Sequence, residues 1–249
     1  MKGIFLTDRG QVRSHNEDAG GIYYNLADQL LAIIADGMGG HQAGDVASQM
    51  ATSFIRENWE KEKGFSSPDE IENWLKKTIS EMNDVIYTHA QNHSECEGMG
   101  TTVVIVINVS DFLSVAHIGD SRCYLLNENG FKQITEDHSL VNALVQSGQI
   151  TKDDAMHHPR KNVVLRALGS DKQVEADVKT LSIDDGDKLL LCSDGLTDKV
   201  QDNEIFEFLQ VDKSLTEVGQ ELIDVANNRG GEDNISVILL QKLKDGDTE

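Results

Sequence analysis

Apolar and polar positions recur along this chain with periods that predict its elements before any chemistry is considered. Residues 29–35 form a compact apolar run that reads as a strand. After a glycine-rich turn, Val46, Met50 and Phe54 recur every four residues with Ala47 and Ala51 beside them, which is one face of a helix. Ser67-Pro68-Asp69-Glu70 carries a helix start: a serine cap, proline in the first turn and glutamate three positions after the cap. Ile71, Trp74, Leu75, Ile79, Met82 and Ile86 continue that helix at its proper spacing. Trp59 and Trp74 therefore read as packing residues. Ser214 with Glu217 marks a second capping box, for a helix bearing Leu215, Val218, Leu222, Ile223 and Val225.

The run 101–107 has a different character. Val103, Val104, Ile105, Val106 and Ile107 are apolar on both alternating faces, so this strand must be covered on both sides. Runs at 112–118, 122–126 and 131–134 follow over very short connections, whereas parallel strands need crossovers of a dozen or more residues. They are expected to be antiparallel neighbours. Runs at 188–192 and 234–240 supply further strands. Antiparallel strands buried on both faces need another layer on each side, and two packed sheets with helices outside satisfy this.

Residues 137–171 fit that scheme poorly. They mix short helical stretches with Gly148, His157-His158-Pro159, Arg160-Lys161 and Arg166. They read as an inserted lobe, between two strand-end aspartates, that overhangs a site. The chain has two prolines, and it shows no repeat and no low-complexity stretch. One domain is expected over residues 1–243, with a polar tail at 244–249.

The strand ends carry the chemistry. Ala35-Asp36-Gly37, Ile118-Gly119-Asp120, Cys192-Ser193-Asp194-Gly195 and Asp233-Asn234 each set an aspartate at the edge of an apolar run, and Asn16-Glu17-Asp18 adds an acidic cluster after Arg13. One Asp-Gly pair is a common turn. Repeated at buried strand ends, the pattern places carboxylates from distant segments at the rim of one core, where they repel unless a cation holds them. All these donors are oxygens, which favours Mg²⁺ or Mn²⁺ over zinc.

Charge and cysteines narrow the class. With 43 acidic and 22 basic residues the formal charge is −21, a field that repels nucleic-acid phosphates and anionic lipid headgroups. No apolar run approaches a membrane span, and Thr7-Asp8-Arg9 interrupts the apolar start too early for a secretory signal. Cys96, Cys123 and Cys192 lack metal-binding spacing and read as packed, reduced thiols. A cytoplasmic protein with no nucleic-acid or membrane partner is expected.

Taken in order, Thr7-Asp8-Arg9-Gly10, Arg13-Ser14-His15-Asn16-Glu17-Asp18, Ala35-Asp36-Gly37-Met38-Gly39-Gly40-His41, Gly98-Met99-Gly100-Thr101-Thr102, Gly119-Asp120-Ser121-Arg122, Ser193-Asp194-Gly195-Leu196 and Asp233-Asn234 resemble the motif series of the type 2C metal-dependent protein phosphatases, in their bacterial stand-alone form. The resemblance runs from about Thr7 to Leu240. It implies an α+β fold, a four-layer α-β-β-α sandwich with two central antiparallel sheets and a flap lobe, and a centre of two or three Mn²⁺ or Mg²⁺ ions. Asp36 would bridge two ions with the Gly37 carbonyl on one of them, and Asp194 and Asp233 would ligate the other. Glu17 and Asp18 would act through coordinated water, and Asp120 would belong to a third, weaker site. Arg13 would hold the substrate phosphate.

The implied reaction is hydrolysis of phosphoserine and phosphothreonine in proteins by a hydroxide shared between the cations, without a side-chain nucleophile. The implied partners are a Ser/Thr kinase and its substrates, and the chain is expected to be a monomer. Met38 stands where many eukaryotic relatives carry a histidine proposed as general acid, and His41 does not inherit that role by proximity. Arg160, Lys161 and Arg166 are the candidate substrate contacts on the lobe. Ser121 and Ser193 read as turn-stabilising hydroxyls, and Arg122 as either a substrate contact or the partner of a local carboxylate. A phosphatase dedicated to one phosphorylated stress regulator, a hydrolase of small phosphate esters and a non-catalytic module of the same fold are the competing readings; the presence of Asp36, Asp194 and Asp233 counts against the last.

Overall fold

The computed structural model describes residues 1–40 and 43–243; His41 and the polar tail at 244–249 lie outside them. Every strand pairing among the described residues is antiparallel. One sheet runs β1 (Lys2–Asp8), β11 (Ile235–Gln241), β10 (Lys188–Cys192), β7 (Arg122–Asn127), β8 (Gly130–Gln133). The other runs β2 (Asp18–Tyr24), β3 (Leu30–Met38), β5 (Val103–Val109), β6 (Phe112–Ile118), β9 (Asp177–Ser182), with the short β4 (Gly100–Thr101) on the end of β3.

The side chains of β5 explain the layering. Val103 to Ile107 are all 0% exposed, and successive residues enter different cores because strand side chains alternate faces. Ile105 and Ile107 pack with Ile55 and Trp59 of α1 (Ala43–Trp59) and with Leu75, Ile79 and Met82 of α2 (Pro68–Asn92). Val104 and Val106 meet Leu189, Leu191 and Ile238 of the opposite sheet. That sheet's outer face packs its Leu190, Val237 and Leu239 against α6 (Asp202–Gln210) and α7 (Leu215–Asn228). Helices, two sheets and helices again make the α-β-β-α sandwich. Both expected capping boxes are present, Ser67 with Glu70 and Ser214 with Glu217.

One expectation fails. The runs at 112–118 and 122–126 are not neighbours: β6 pairs β5 and β9, while β7 pairs β10 and β8. Only Gly119, Asp120 and Ser121 separate them, so the chain steps from one sheet to the other over three residues. Gly119 makes the step possible. Its φ is +103°, and a Cβ there would lie 2.6 Å from Thr102 Cβ. Segments that the hydrophobic pattern left unassigned are β1, β2, β9 and α6. Residues 137–171 form a small lobe with α3 (Leu140–Gln146) and α4 (Lys152–Met156), returning to the body through Leu168, which bridges Thr101.

Trp59 anchors the helical layer. It is fully buried, stacked on Phe65 at 5.8 Å and edge-on to Trp74 at 5.3 Å. Trp59→Ala should cost about 3–5 kcal/mol in urea unfolding; a cost below about 1 kcal/mol would contradict this assignment of the layer's core.

Candidate metal centre

Strand register carries the acidic residues to one end of the sandwich. In the second sheet Asp18 sits directly opposite Asp36 across the β2–β3 pair, and β6 ends on the same side, because Ile118 faces the first residue of β5. In the first sheet the end of β10 and the start of β11 coincide, Cys192 facing Val237. Asp194 and Asp233 therefore share an edge, and β7 begins there too. The Gly119–Ser121 step joins these two edges and places Asp120 between the sheets. Asp194 opens a short helix, α5 (Asp194–Thr197).

Polar side chains brace this end. Asn234 accepts from the Glu17 amide at 2.8 Å and donates to the carbonyls of Arg9 (2.8 Å) and His15 (2.9 Å), fixing the loop that holds Arg13 and Glu17. The Asp36 amide donates to Thr102 Oγ1 at 3.1 Å, and Thr101 Oγ1 donates to the Asp36 carbonyl at 2.9 Å. Ser193 does more than stabilise its own turn. Its hydroxyl donates to Asp18 Oδ2 at 2.8 Å, from the end of β10 to the start of β2. Ser121 bonds Thr102 at 2.7 Å across the sheet step. Gly37 is required by crowding: a Cβ there would fall 2.0 Å from the Gly44 carbonyl oxygen, where β3 meets the start of α1.

The electrostatics are those of a cation site. Asp18 and Asp120 are buried, at 9% and 8% exposure, and Asp36 and Asp194 are half-buried. Asp36 has its pKa driven well above the ordinary carboxylate value, first by desolvation and then by Asp18, Asp194, Asp120 and Asp233. Asp194 is driven up likewise by burial, then by Asp120, Asp233 and Asp198. Burial dominates in raising Asp18 and Asp120, each to about 6, and Glu17 is shifted upward by burial as well. Asp18 Oδ1 and Asp194 Oδ1 are buried with no hydrogen-bond partner. Buried carboxylate oxygens left without donors, amid like charges, fit divalent cations that prefer oxygen ligands. Asp18, Asp36, Asp194 and Asp233 could hold them, with Glu17 at the edge and Asp120 beside Asp194.

Arg13 stands on the rim, where its Nη2 donates to Asp233 Oδ2 at 2.6 Å. Burial works to lower its pKa, but Asp233, Glu17 and Asp36 together raise it. Arg122 grips Asp137 at the root of the lobe, its Nε donating to both carboxylate oxygens at 3.0 Å and its Nη2 to Oδ2 at 2.7 Å. The local-carboxylate reading therefore holds for Arg122. Between lobe and body runs a groove of ≈ 970 Å³ with Asp120 and Asp194 in its wall and Asn142, His157 and Lys161 facing from the lobe. Of the three candidate substrate contacts Arg160, Lys161 and Arg166, only Lys161 lines it, paired with Asp198 at 2.5 Å. Arg166 instead pairs with Asp177 at 3.1 Å, and the Arg160 side chain has no hydrogen bond or ion pair among the described residues. Asp198, four residues after Asp194, is a site residue that the motif pattern did not single out; the (i, i+4) spacing was its only signal.

A carboxyl whose folded pKa exceeds its unfolded value keeps a proton that the unfolded chain releases. The resulting stability is complete below the ordinary value near 4 and is lost as pH rises through about 6 for Asp18, and through their own raised values for Asp36 and Asp194. Cations need the ionised form, so their stabilisation grows over that same window. The rise in Tm on adding Mn²⁺ should be small near about pH 5 and largest above about pH 7. An equal rise at both would contradict carboxylate binding.

Comparison with known proteins agrees with this geometry. The family model for protein phosphatase 2C matches residues 8–239. A serine/threonine phosphatase, stp, of Listeria monocytogenes is 47% identical over 242 residues, covering 97% of this chain and 96% of that protein. The crystal structure of serine/threonine phosphatase Stp1 from Staphylococcus aureus superposes with a TM-score of 0.93 at 41% identity, over 98% of this chain and 95% of that one. The catalytic domain of serine threonine protein phosphatase PstP, solved in complex with 2 manganese ions, matches with a TM-score of 0.85 at 35% identity over 98% of each chain. With its strand-end carboxylates gathered at one end of an α-β-β-α sandwich and its sequence matched over nearly its whole length, this chain belongs to the protein phosphatase 2C family.

Proposed function

We propose that this protein hydrolyses phosphoserine and phosphothreonine in phosphorylated proteins, opposing a Ser/Thr kinase in the cytoplasm, and that it works as a monomer. The observation that carries the reading is the cluster of Asp18, Asp36, Asp194 and Asp233: burial and mutual repulsion raise the pKa of the first three, and Asp18 and Asp194 each keep a buried oxygen without a donor, which calls for cations. When bound, divalent cations supply charge neutralisation on the phosphoryl oxygens and a water nucleophile ionised near neutral pH.

The chain's own residues do the rest. Asp36, repelled by Asp18, Asp194, Asp120 and Asp233, would take the cations that offset this repulsion. Arg13 exchanges its contact with Asp233 for the phosphate, whose oxygens its planar fork can meet with two hydrogen bonds. Asn234 keeps the Arg13 loop in register with Asp233. The groove under the lobe receives the peptide flanking the phosphorylated residue, and Lys161 contributes a cation that offsets repulsion from an acidic body. Arg160, exposed on the same lobe, is a second contact for an acidic peptide. No histidine follows Gly37, since Met38 occupies that position.

Phosphate release from a phosphothreonine peptide should require Mn²⁺ or Mg²⁺ and stop with EDTA. Asp194→Asn should lower it by on the order of 10²–10³. Lys161→Ala should raise KM for the peptide by about tenfold while sparing a small aryl phosphate. Release unaffected by chelation would sink the catalytic reading, and equal loss on both substrates would remove Lys161 from the peptide groove.

A further inference from the structure

A second cluster of side chains that could bind a metal shares no residue with the carboxylate centre. His117 on β6 and Asp177 on β9 are cross-strand partners, and His138, from the root of the lobe, stacks on His117 with ring centroids 4.6 Å apart. One donor atom from each of the three lies within 4.8 Å of the others. His138 Nε2 is 3.3 Å from Asp177 Oδ2, close to the spacing of adjacent ligands around a tetrahedral ion with bonds of about 2.0–2.2 Å.

The protonation pattern at His117 is suited to ligation. Its Nε2 lies 2.8 Å from the Glu136 carbonyl oxygen. A carbonyl can only accept, so this short contact puts the proton on Nε2 and leaves a lone pair on Nδ1; the Glu136 amide, 3.3 Å from the same Nε2, is the longer and weaker contact. A histidine held by a carbonyl through one nitrogen and free at the other is the usual state of a metal-ligating imidazole. Burial first, then His117, lowers the His138 pKa and keeps that ring neutral, as ligation requires. The set differs in kind from the oxygen-only centre. Two imidazoles and one carboxylate select a borderline transition metal.

Arg166 supplies a positive charge at this cluster. Its Nη1 is 3.1 Å from Asp177 Oδ1 and 3.3 Å from His138 Nε2. The imidazoles are buried at 5% and 7% exposure, but the side chains of Arg166 and Asp177 are 49% and 50% exposed. The guanidinium can therefore turn to water without disturbing the core. His138 Nδ1 accepts from the Gly119 amide at 3.2 Å, which places its proton on Nε2, facing Asp177. Ligation through Nε2 displaces that proton, and the Gly119 contact must adjust if Nδ1 takes it up.

We propose that His117, His138 and Asp177 form a binding site for a Zn²⁺-class cation, distinct from the carboxylate centre, at which the ion and the Arg166 guanidinium exclude each other. Occupancy releases Arg166 from Asp177 and removes one tie between the lobe and β9. The test is calorimetric titration of the Mn²⁺-saturated protein with ZnCl₂, in wild type, Asp177→Asn and Arg166→Ala. Both substitutions are at half-exposed side chains, and their thermal unfolding checks that the fold is retained. Asp177→Asn should bind one Zn²⁺ equivalent fewer than wild type, while Arg166→Ala should bind that equivalent about tenfold more tightly. Exchange of Zn²⁺ into the manganese centre would be the same in all three proteins. Unchanged stoichiometry in Asp177→Asn, or no tightening in Arg166→Ala, would overturn the proposal.

Discussion

Mutual repulsion among carboxylates at one end of the sandwich is the constraint from which the rest of the site follows. Asp18 and Asp36 face each other across adjacent strands, an arrangement that costs stability when both are charged. Asp194, Asp233 and Asp120 add to the same field. The protein does not relieve this by pairing: apart from Arg13 on Asp233, the nearby cations are committed elsewhere, Arg122 to Asp137 and Lys161 to Asp198. Two carboxylate oxygens are left buried without donors. A fold that keeps such a cluster and braces it with Asn234, Ser193, Thr101 and Thr102 is organised to bind cations at the expense of its own metal-free stability.

The two sheets matter because neither could assemble the site alone. Asp18 and Asp36 belong to one sheet, Asp194 and Asp233 to the edge of the other, and the hydroxyl of Ser193 ties Asp18 to the end of β10. The three-residue step at Gly119–Ser121 joins the two edges and carries Asp120 with it. The same step sets the lobe, since His138 bonds Gly119 in both directions, its amide donating to the Gly119 carbonyl at 2.9 Å and its ring accepting from the Gly119 amide. The groove and the carboxylate cluster thus share one turn of backbone.

Much of this was legible in the sequence because the strongest signals are periodic. The helical spacing of Ile71, Leu75, Ile79 and Met82, the uniform apolarity of Val103 to Ile107 and the aspartates closing apolar runs all follow directly from burial. What the pattern hid has physical causes. β2 contains Gly20-Gly21, a half-buried Tyr23 and an exposed Tyr24, so its alternation is weak. β9 borders its sheet and carries exposed polar residues. The short connection between β6 and β7 does not make them neighbours, because connection length limits strand direction but does not say which sheet receives the chain. The partners of Lys161 and Arg166, and the brace from Ser193 to Asp18, join residues far apart in sequence and leave no local trace.

Electron paramagnetic resonance during Mn²⁺ titration at neutral pH tests the central claim most directly, because it reads cation binding and proximity without depending on turnover. The wild-type protein should take up at least two ions and show the spectrum of a spin-coupled pair, and Asp36→Asn should lose the coupling. Uptake of isolated, uncoupled ions by wild type, or a coupled pair that survives Asp36→Asn, would contradict a carboxylate-bridged centre at this end of the sandwich.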